Sequence, residues 1–432
     1  MTQRSFLKDV AGVLSSNVFT IVAGLLASAI LSRRLGPEGF GIYSAILVIP
    51  LIVVSFTQLG IRGSSIYYLG RKHYEQAEVI GSILMILVFT SLLGILVTGA
   101  GFIFLGDESF THTYIILVML SIPFRLAMAY FGGIFIGKEQ IGHANFINWF
   151  SELIHLVAIV VFVWILDWKV AGALLSLLVA NFLITLWAGI NLGKEYGFRL
   201  RYKSVIIRDL VSMGFLFALS FMVIQLNYRI DILLLQELST REEVGFYSLG
   251  VSIAEKLWQL PLAIGIVLMS RTANAKDQHL INQTTGRLVR ISFIAGLIVS
   301  VVLAMLSPWL IPVIWGESFH PSVQIIQMIL PGILFISIFR ILSSQIAGIG
   351  KPYITLYVFL PALIVNILLN LWWIPEQGAL GAVWATNVSY TLGTIAYIFV
   401  YSRISHMPVR KILAFQKGDF IFLKELGKWM KR

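Results

Sequence analysis

The 432-residue sequence contains no cysteine, which excludes disulfides, thiolate metal sites and a cysteine nucleophile. Charge is also scarce. Only 12% of positions are Asp, Glu, Lys or Arg, against roughly a quarter in a soluble chain. Acidic residues are the rarer sign, 21 against 32 basic ones, and seven histidines leave little material for metal or acid–base chemistry. What fills the chain instead is hydrocarbon, with 58% hydrophobic residues and a mean hydropathy of +0.87. At about 20 residues per helical span, a dozen spans use most of that apolar content and leave little for a soluble domain. The sequence is that of an integral membrane protein. Its net charge of +11 then marks loops that face anionic headgroups, and nucleic acid is not implied as a partner.

Twelve apolar runs of helix length are bounded by charged or turn residues, at about 10–32, 41–61, 79–105, 114–136, 145–166, 170–192, 210–236, 244–270, 288–314, 322–348, 353–374 and 379–402. The first follows Arg4 and Lys8 but is too long for a signal-peptide core and ends in Arg33 and Arg34, so it reads as a retained helix. The N-terminus, the alternate connections and the tail carry 24 Lys and Arg, whereas the opposite connections carry only Arg33, Arg34, Lys169 and Arg241. That asymmetry predicts a multi-pass protein of the cell (inner) membrane with both termini cytoplasmic. With Arg287 and Arg290 counted in the connection before span nine, four basic residues remain inside spans: Arg125, Arg229, Lys256 and Arg340.

The chain repeats itself about 210 residues on. GPEGFGIYSAI (Gly36 to Ile46) follows span one, TREEVGFYSLGV (Thr240 to Val251) follows span seven, and Gly41, Tyr43 and Ser44 match Gly245, Tyr247 and Ser248. Six spans per copy is an even number, so the copies share one orientation, as in a parallel repeat about an axis along the membrane normal. The expected fold is an all-α polytopic membrane protein of two six-helix bundles, 1–203 with its basic linker and 204–402, followed by a basic amphipathic tail, 403–432.

The run LSRRLGPEGFGIYSA (Leu31 to Ala45) resembles the start of the polysaccharide flippases, the Wzx-like branch of the multidrug, oligosaccharidyl-lipid and polysaccharide exporter superfamily. The matching positions are Arg33 or Arg34, Leu35, Gly36, Pro37, Phe40, Gly41, Tyr43 and Ser44. The resemblance implies a substrate class, a polyprenyl-diphosphate-linked oligosaccharide carried from the inner to the outer leaflet for O-antigen or exopolysaccharide synthesis. It also implies membrane lipids and other polysaccharide-assembly membrane proteins as partners. Lipid II flippases of the superfamily carry two further helices after span twelve, where this chain has a tail.

An ionisable side chain in a membrane helix costs on the order of 3 kcal/mol at the bilayer centre, so each must face a cavity or a partner. Span five carries Asn145, Asn148, Glu152 and His155 at spacings that align one helical face. Arg229 and Asp231 in span seven point to nearly opposite faces, which argues against an ion pair between them. Span eight adds Glu255 and Lys256, span ten Arg340, and span four Arg125 directly after Pro123. Arg62, between Gly60 and Gly63, is either a cytoplasmic mouth residue or the end of a bent second span. Internal ion pairs that hold helices together account for any one of these. The set, four cations and three anions over both halves, suits a wet central cavity with a positive excess. Guanidinium groups grip phosphate oxygens in pairs, so Arg125, Arg229, Arg340 and Arg62, with Lys256 as a point charge, are the candidate substrate-binding residues. Glu152, His155, Asp231, Glu255 and Asn148 are the candidate coupling or cavity residues.

Two other signals fail. GGIFIGKE (Gly132 to Glu139) has Glu where a phosphate-binding loop needs Ser or Thr, and it ends a membrane helix rather than following a strand. Glu152 and His155 form a single Glu-x-x-His where a di-iron site needs two. No cofactor, metal or catalytic residue is expected. A multidrug exporter of the same superfamily is the alternative, disfavoured because span one has no acid and Arg125 repels organic cations. A membrane glycosyltransferase or polymerase would need catalytic acids in sizeable outer loops, and the outer connections here run to only about 5 to 10 residues. In the tail, residues 420–432 show apolar and basic sides suited to a helix lying on the inner leaflet.

Overall fold

The computed structural model describes residues 3–71, 74–138, 140–196, 202–273, 278–416 and 419. Among these the regular structure is helical throughout. The first half comprises α1 (Gln3–Ile46), α2 (Val48–Thr57), α3 (Ile61–Arg71), α4 (Gln76–Leu105), α5 (His112–Gly137), α6 (Ile141–Ile159), which continues as a π-helical turn (Val160–Ile165), and α7 (Lys169–Tyr196). The second half comprises α8 (Ser204–Leu238), α9 (Arg241–Ala254), a 3-10 turn (Glu255–Trp258), α10 (Gln259–Ala273), α11 (Gln278–Trp315), α12 (Ser322–Gly348), α13 (Tyr353–Gln377), α14 (Ala379–Ser405) and the short α15 (Val409–Leu413) of the tail.

Ten segments are long and apolar enough to cross a membrane. The first, Phe19–Gly70, holds two passes, because the backbone of α1 leaves the helical region at Gly36 (φ 67°, ψ 179°), where only glycine turns without strain. With α14 the chain makes twelve passes, as the sequence predicted. One face of the bundle gathers the start of α1, the ends of α3, α5, α7, α10 and α12, and the described tail residues 403–416; it is called the basic face here. The far face gathers the turn at Gly36 and the connections at 106–111, 166–168, 239–240, 316–321 and 378.

The second pass differs from its expected limits of 41–61. It runs from Pro37 to Arg71, broken at Leu59 (φ 49°) and Gly60 (φ 61°). Arg62 therefore lies within the pass, on the first turn of α3, and not in a loop. The break follows from packing: Gly60 meets the backbone of Gly214 on α8, and a Cβ on either residue would collide with the other chain segment. The equivalent pass of the second half is also interrupted, by the 3-10 turn at Glu255–Trp258. Pro261 then occupies the first turn of α10, where a missing N–H breaks no helical hydrogen bond.

The GGIFIGKE segment has a packing role. Gly133 and Gly137, four apart on α5, let α3 approach so closely that a Cβ on Gly133 would lie 2.9 Å from the Arg62 carbonyl oxygen and one on Gly137 would lie 3.1 Å from Cα of Ile66. Small residues four apart are a common device for close helix contact in membranes.

Two hydrophobic cores result. One joins α3, α4, α5 and α7 through residues such as Ile83, Tyr130, Ile134 and Ile184, and it takes in Ile206 and Leu210 from the start of α8. The other centres on α12 and takes in Ile232 and Leu235 from the end of α8, together with far-face residues of both halves such as Leu31, Phe40, Tyr247 and Phe319. Helix α8 thus begins against the first half and ends inside the second.

In the tail, the buried Arg290 of α11 donates from Nε to Asp419 Oδ2 (2.7 Å) and from Nη2 to Asp419 Oδ1 (2.9 Å), and from Nη1 to the carbonyls of Lys411 and Ile412. The helix expected at 420–432 lies outside the described residues.

Candidate functional site

A cavity of about 490 Å³ opens between α5, α6 and α7 at middle depth, closed on one side by α1 and faced by Gln259 and Leu262 of α10. Five of the ten sequence candidates line it: Arg62, Arg125, Asn148, Glu152 and His155. On α6 the positions 148, 152 and 155 fall on one face, as their spacing required, and Asn145 does not reach the cavity. Pro123 sits within α5 just before Arg125. Depth in the bundle orders the charges. Glu152 and Arg125 lie near the middle of their helices, and Arg62 lies closer to the basic face, nine residues before the end of α3 at Arg71.

Neither Arg62 nor Arg125 has an ion-pair or hydrogen-bond partner among the described residues, although both line the cavity. Glu152 is the one carboxylate among the described residues that line the cavity. Its Oε1 lies 4.0 Å from Nδ1 of His155 and directly beside Gly24 of α1, where a Cβ would stand 3.2 Å away. Two free guanidiniums against one carboxylate leave the cavity net positive. Asn181 of α7 also lines it, and sequence reading missed this residue because one amide in an apolar run carries no pattern.

The charges of the second half sit elsewhere, so the single cavity expected to gather both sets is divided. Arg229 donates to Glu255 at 3.0 Å, an ion pair between α8 and the 3-10 turn. The Arg340 guanidinium lies over Trp258 (4.1 Å) and Tyr228 (5.1 Å). Asp231 is fully buried and accepts hydrogen bonds from Tyr247 (2.9 Å), Thr386 (2.8 Å) and Asn370 (2.5 Å), with no cation beside it among the described residues. A buried carboxylate without a counter-charge is a place for a proton or a small oxygen-ligated cation. Among the described residues no three His, Asp or Glu side chains converge on a metal-sized site. Lys256 is exposed and has no described partner. It precedes the cavity-facing Gln259 by three residues, which puts it on the same side, one turn nearer the far face.

At the far face the two halves are sealed. Gly41 and Gly245, the matching glycines of the repeat, touch each other's segments: a Cβ on Gly41 would strike the carbonyl oxygen of Arg241, and one on Gly245 that of Pro37. Arg241 pairs with Asp107 (3.2 Å) and Glu38 (3.6 Å). Arg33 donates to the carbonyls of Ile314 (2.8 Å) and Val313 at the end of α11, and Ser32 to that of Trp315 (3.1 Å). Phe319 wedges edge-on between Phe40 and Phe246. Burial by itself would raise the Asp107 carboxyl, but hydrogen bonds from Ser109 and the charge of Arg241 hold it below its ordinary value.

Comparison with known proteins gives a consistent set of likenesses. Residues 6–269 match a family model described as polysaccharide biosynthesis protein, and residues 217–372 match the MatE model. A Shigella flexneri protein named as an O-antigen transporter is 24% identical over 389 residues, covering 87% of this chain and 92% of that protein. Among solved structures, an inward-facing multidrug resistance MATE family transporter of the MOP superfamily superposes with a TM-score of 0.74 at 15% identity, covering 90% of this chain and 95% of the other. The lipid II flippase MurJ in an inward closed conformation gives 0.71 at 15% identity, covering 95% and 94%.

Proposed function

Because the chain belongs to the polysaccharide biosynthesis protein family, we propose that it is a flippase that moves a polyprenyl-diphosphate-linked oligosaccharide from the inner to the outer leaflet by alternating access. The observation that carries this reading is the pair of unpartnered guanidiniums, Arg62 and Arg125, in a cavity with a single carboxylate. A guanidinium without a protein partner finds its best one in an oxyanion that accepts two parallel hydrogen bonds, and a diphosphate offers several. Lys256 does not line this cavity, but it lies one turn beyond the lining residue Gln259 toward the far face and adds a third cation near it. The name of the Shigella flexneri relative points to the same substrate class.

The basic face is the cytoplasmic one on the positive-inside rule, so both termini lie inside and the cavity takes its substrate from the inner leaflet while the far face is shut. The membrane potential then helps. Carrying about two negative charges outward is favourable by about 2.3 kcal/mol per charge for each 100 mV, provided they cross the whole field. Asp231, buried without a counter-charge, is the group through which a coupled proton or cation acts. Organic cations fit less well, since Arg62, Arg125 and Lys256 all repel them.

The test is transport of a fluorescent prenyl-diphosphate-linked sugar in proteoliposomes. Arg62→Ala and Arg125→Ala should each reduce it at least tenfold, and lysine should restore only part, because the fork geometry is lost. Normal transport by both alanine variants, or efflux of organic cations that the same substitutions enhance, would overturn the reading.

A further inference from the structure

The cavity holds two polar groups that the diphosphate reading leaves unused. Asn181 of α7 is 5% exposed and His155 of α6 is 9% exposed; both line the cavity, and Asn181 Nδ2 and His155 Nε2 have no hydrogen-bond partner among the described residues. A buried polar atom left unpaired is costly, and such pairs of orphans persist where a ligand supplies the missing bonds. They do not duplicate the arginines, since neither carries a fixed charge.

We propose that Asn181 and His155 form a sugar subsite, which binds the monosaccharide joined directly to the diphosphate. The proposal rests on the reading of Arg62 and Arg125 as the diphosphate site. Donor and acceptor chemistry supports it. Nδ1 of His155 faces the Glu152 carboxylate, which favours the tautomer that keeps its proton there and leaves Nε2 as an acceptor. Asn181 Nδ2 is a donor. An acceptor and a donor lining one cavity match a sugar hydroxyl, which donates and accepts at once, or a hydroxyl next to an acetamido carbonyl. A phosphate oxygen, which only accepts, does not satisfy the imidazole.

Size gives a second argument. Pockets for small ligands run from about 300 to 1,000 Å³, and the 490 Å³ here suits a diphosphate with one sugar ring, not a whole oligosaccharide. The sugars beyond the first then lie outside this cavity and make no demand on these residues. Specificity is accordingly concentrated on the first sugar. A site built to hydrogen-bond a hydroxyl rejects a ligand that lacks it more strongly than an apolar pocket rejects an extra group.

The experiment is equilibrium binding to the full chain in nanodiscs, with two sets of probes: farnesyl diphosphate, and farnesyl-diphosphate-linked glucose, galactose, N-acetylglucosamine and N-acetylgalactosamine. At least one sugar-bearing probe should bind ten times more tightly than farnesyl diphosphate. Asn181→Leu and His155→Leu should each remove most of that advantage and leave farnesyl diphosphate affinity unchanged. Arg125→Ala should weaken every probe. If no sugar-bearing probe outbinds farnesyl diphosphate on the unaltered chain, the subsite does not exist, whatever the variants do. Leucine variants that weaken sugar-free and sugar-bearing probes alike would also refute it, and assign the residues to diphosphate binding or to the fold. If Arg125→Ala leaves all affinities intact, the diphosphate site itself has failed, a result separable from the other two.

Discussion

Removing the Arg241 side chain should open the cavity toward the outside. Arg241 is 41% exposed on its side chain and touches Asp107 at 3.2 Å and Glu38 at 3.6 Å. Exposed ion pairs contribute about 0.2–1 kcal/mol each, so the two together hold the far face shut by about 1 kcal/mol, roughly a fivefold change in the ratio of closed to open. Adding Arg33→Ala removes the two bonds to the end of α11 and should bring the total to about 2 kcal/mol, roughly thirtyfold. Since the sequence has no cysteine, a single Ser151→Cys in the cavity gives a clean reporter. Its labelling by a membrane-impermeant maleimide added outside whole cells should quicken about fivefold in Arg241→Ala and further in the double variant. A charge swap, Arg241→Asp with Asp107→Arg, should return it most of the way. The pH dependence has a definite sign. Asp107 titrates below its ordinary 3.8, so its contribution is complete above that value and is lost only as pH falls through the lower one; the ratio of labelling rates in Arg241→Ala and the unaltered chain, in which the pH dependence of the thiolate cancels, should stay flat from pH 8 down to about 5. Unchanged labelling in both alanine variants at normal protein abundance would refute the far-face seal.

Three further outcomes are expected. Arg290→Ala removes both close bonds to the buried Asp419 and leaves it Arg287 at 3.5 Å as counter-charge, so the thermal midpoint of the detergent-solubilised protein should fall by an amount corresponding to about 1.5–3 kcal/mol, and a control substitution at the exposed Lys256 should leave it in place. Arg229→Ala should lower abundance by stranding Glu255, while Arg229→Met combined with Glu255→Leu should recover it; recovery of stability without transport would show that the pair also has a functional part. Asp231→Asn keeps a partner for Tyr247 and Thr386 but removes the charge, so transport driven by a proton or sodium gradient should be lost while farnesyl diphosphate binding is retained; intact gradient-driven transport would remove Asp231 from coupling.

The twelve passes were legible because length and hydropathy act locally, and all twelve runs were placed within about ten residues at each end. The second is instructive. The second pass breaks at Leu59 and Gly60 because Gly214, 154 positions on, needs room for its backbone, and no window of sequence contains both. Arg62 could therefore be picked out as unusual but not placed. The α6 face was legible because three polar residues at helical spacing in an apolar run can face only one way. Arg229, Asp231 and Arg340 were recognisable as costly. Their partners were not: Glu255 is 26 positions away and Thr386 is 155. The duplicated glycine was seen as a repeat, but its reason, that Gly41 and Gly245 rest on each other's segments, exists only in three dimensions.

The route of α8 has a mechanical consequence. Ile206 and Leu210 are anchored in one core and Ile232 and Leu235 in the other, so the two halves cannot rock as independent bodies. Any relative rotation must be absorbed as bend or twist in the stretch between, near the crossing at Gly214. A helix clamped at both ends and deformed in the middle behaves as a torsion bar: it is loaded on one stroke and unloads on the return. The resting preference of the empty transporter is then set partly by the stiffness of a segment that touches no substrate, and softening that stretch would alter how often the cycle turns over without altering what it carries.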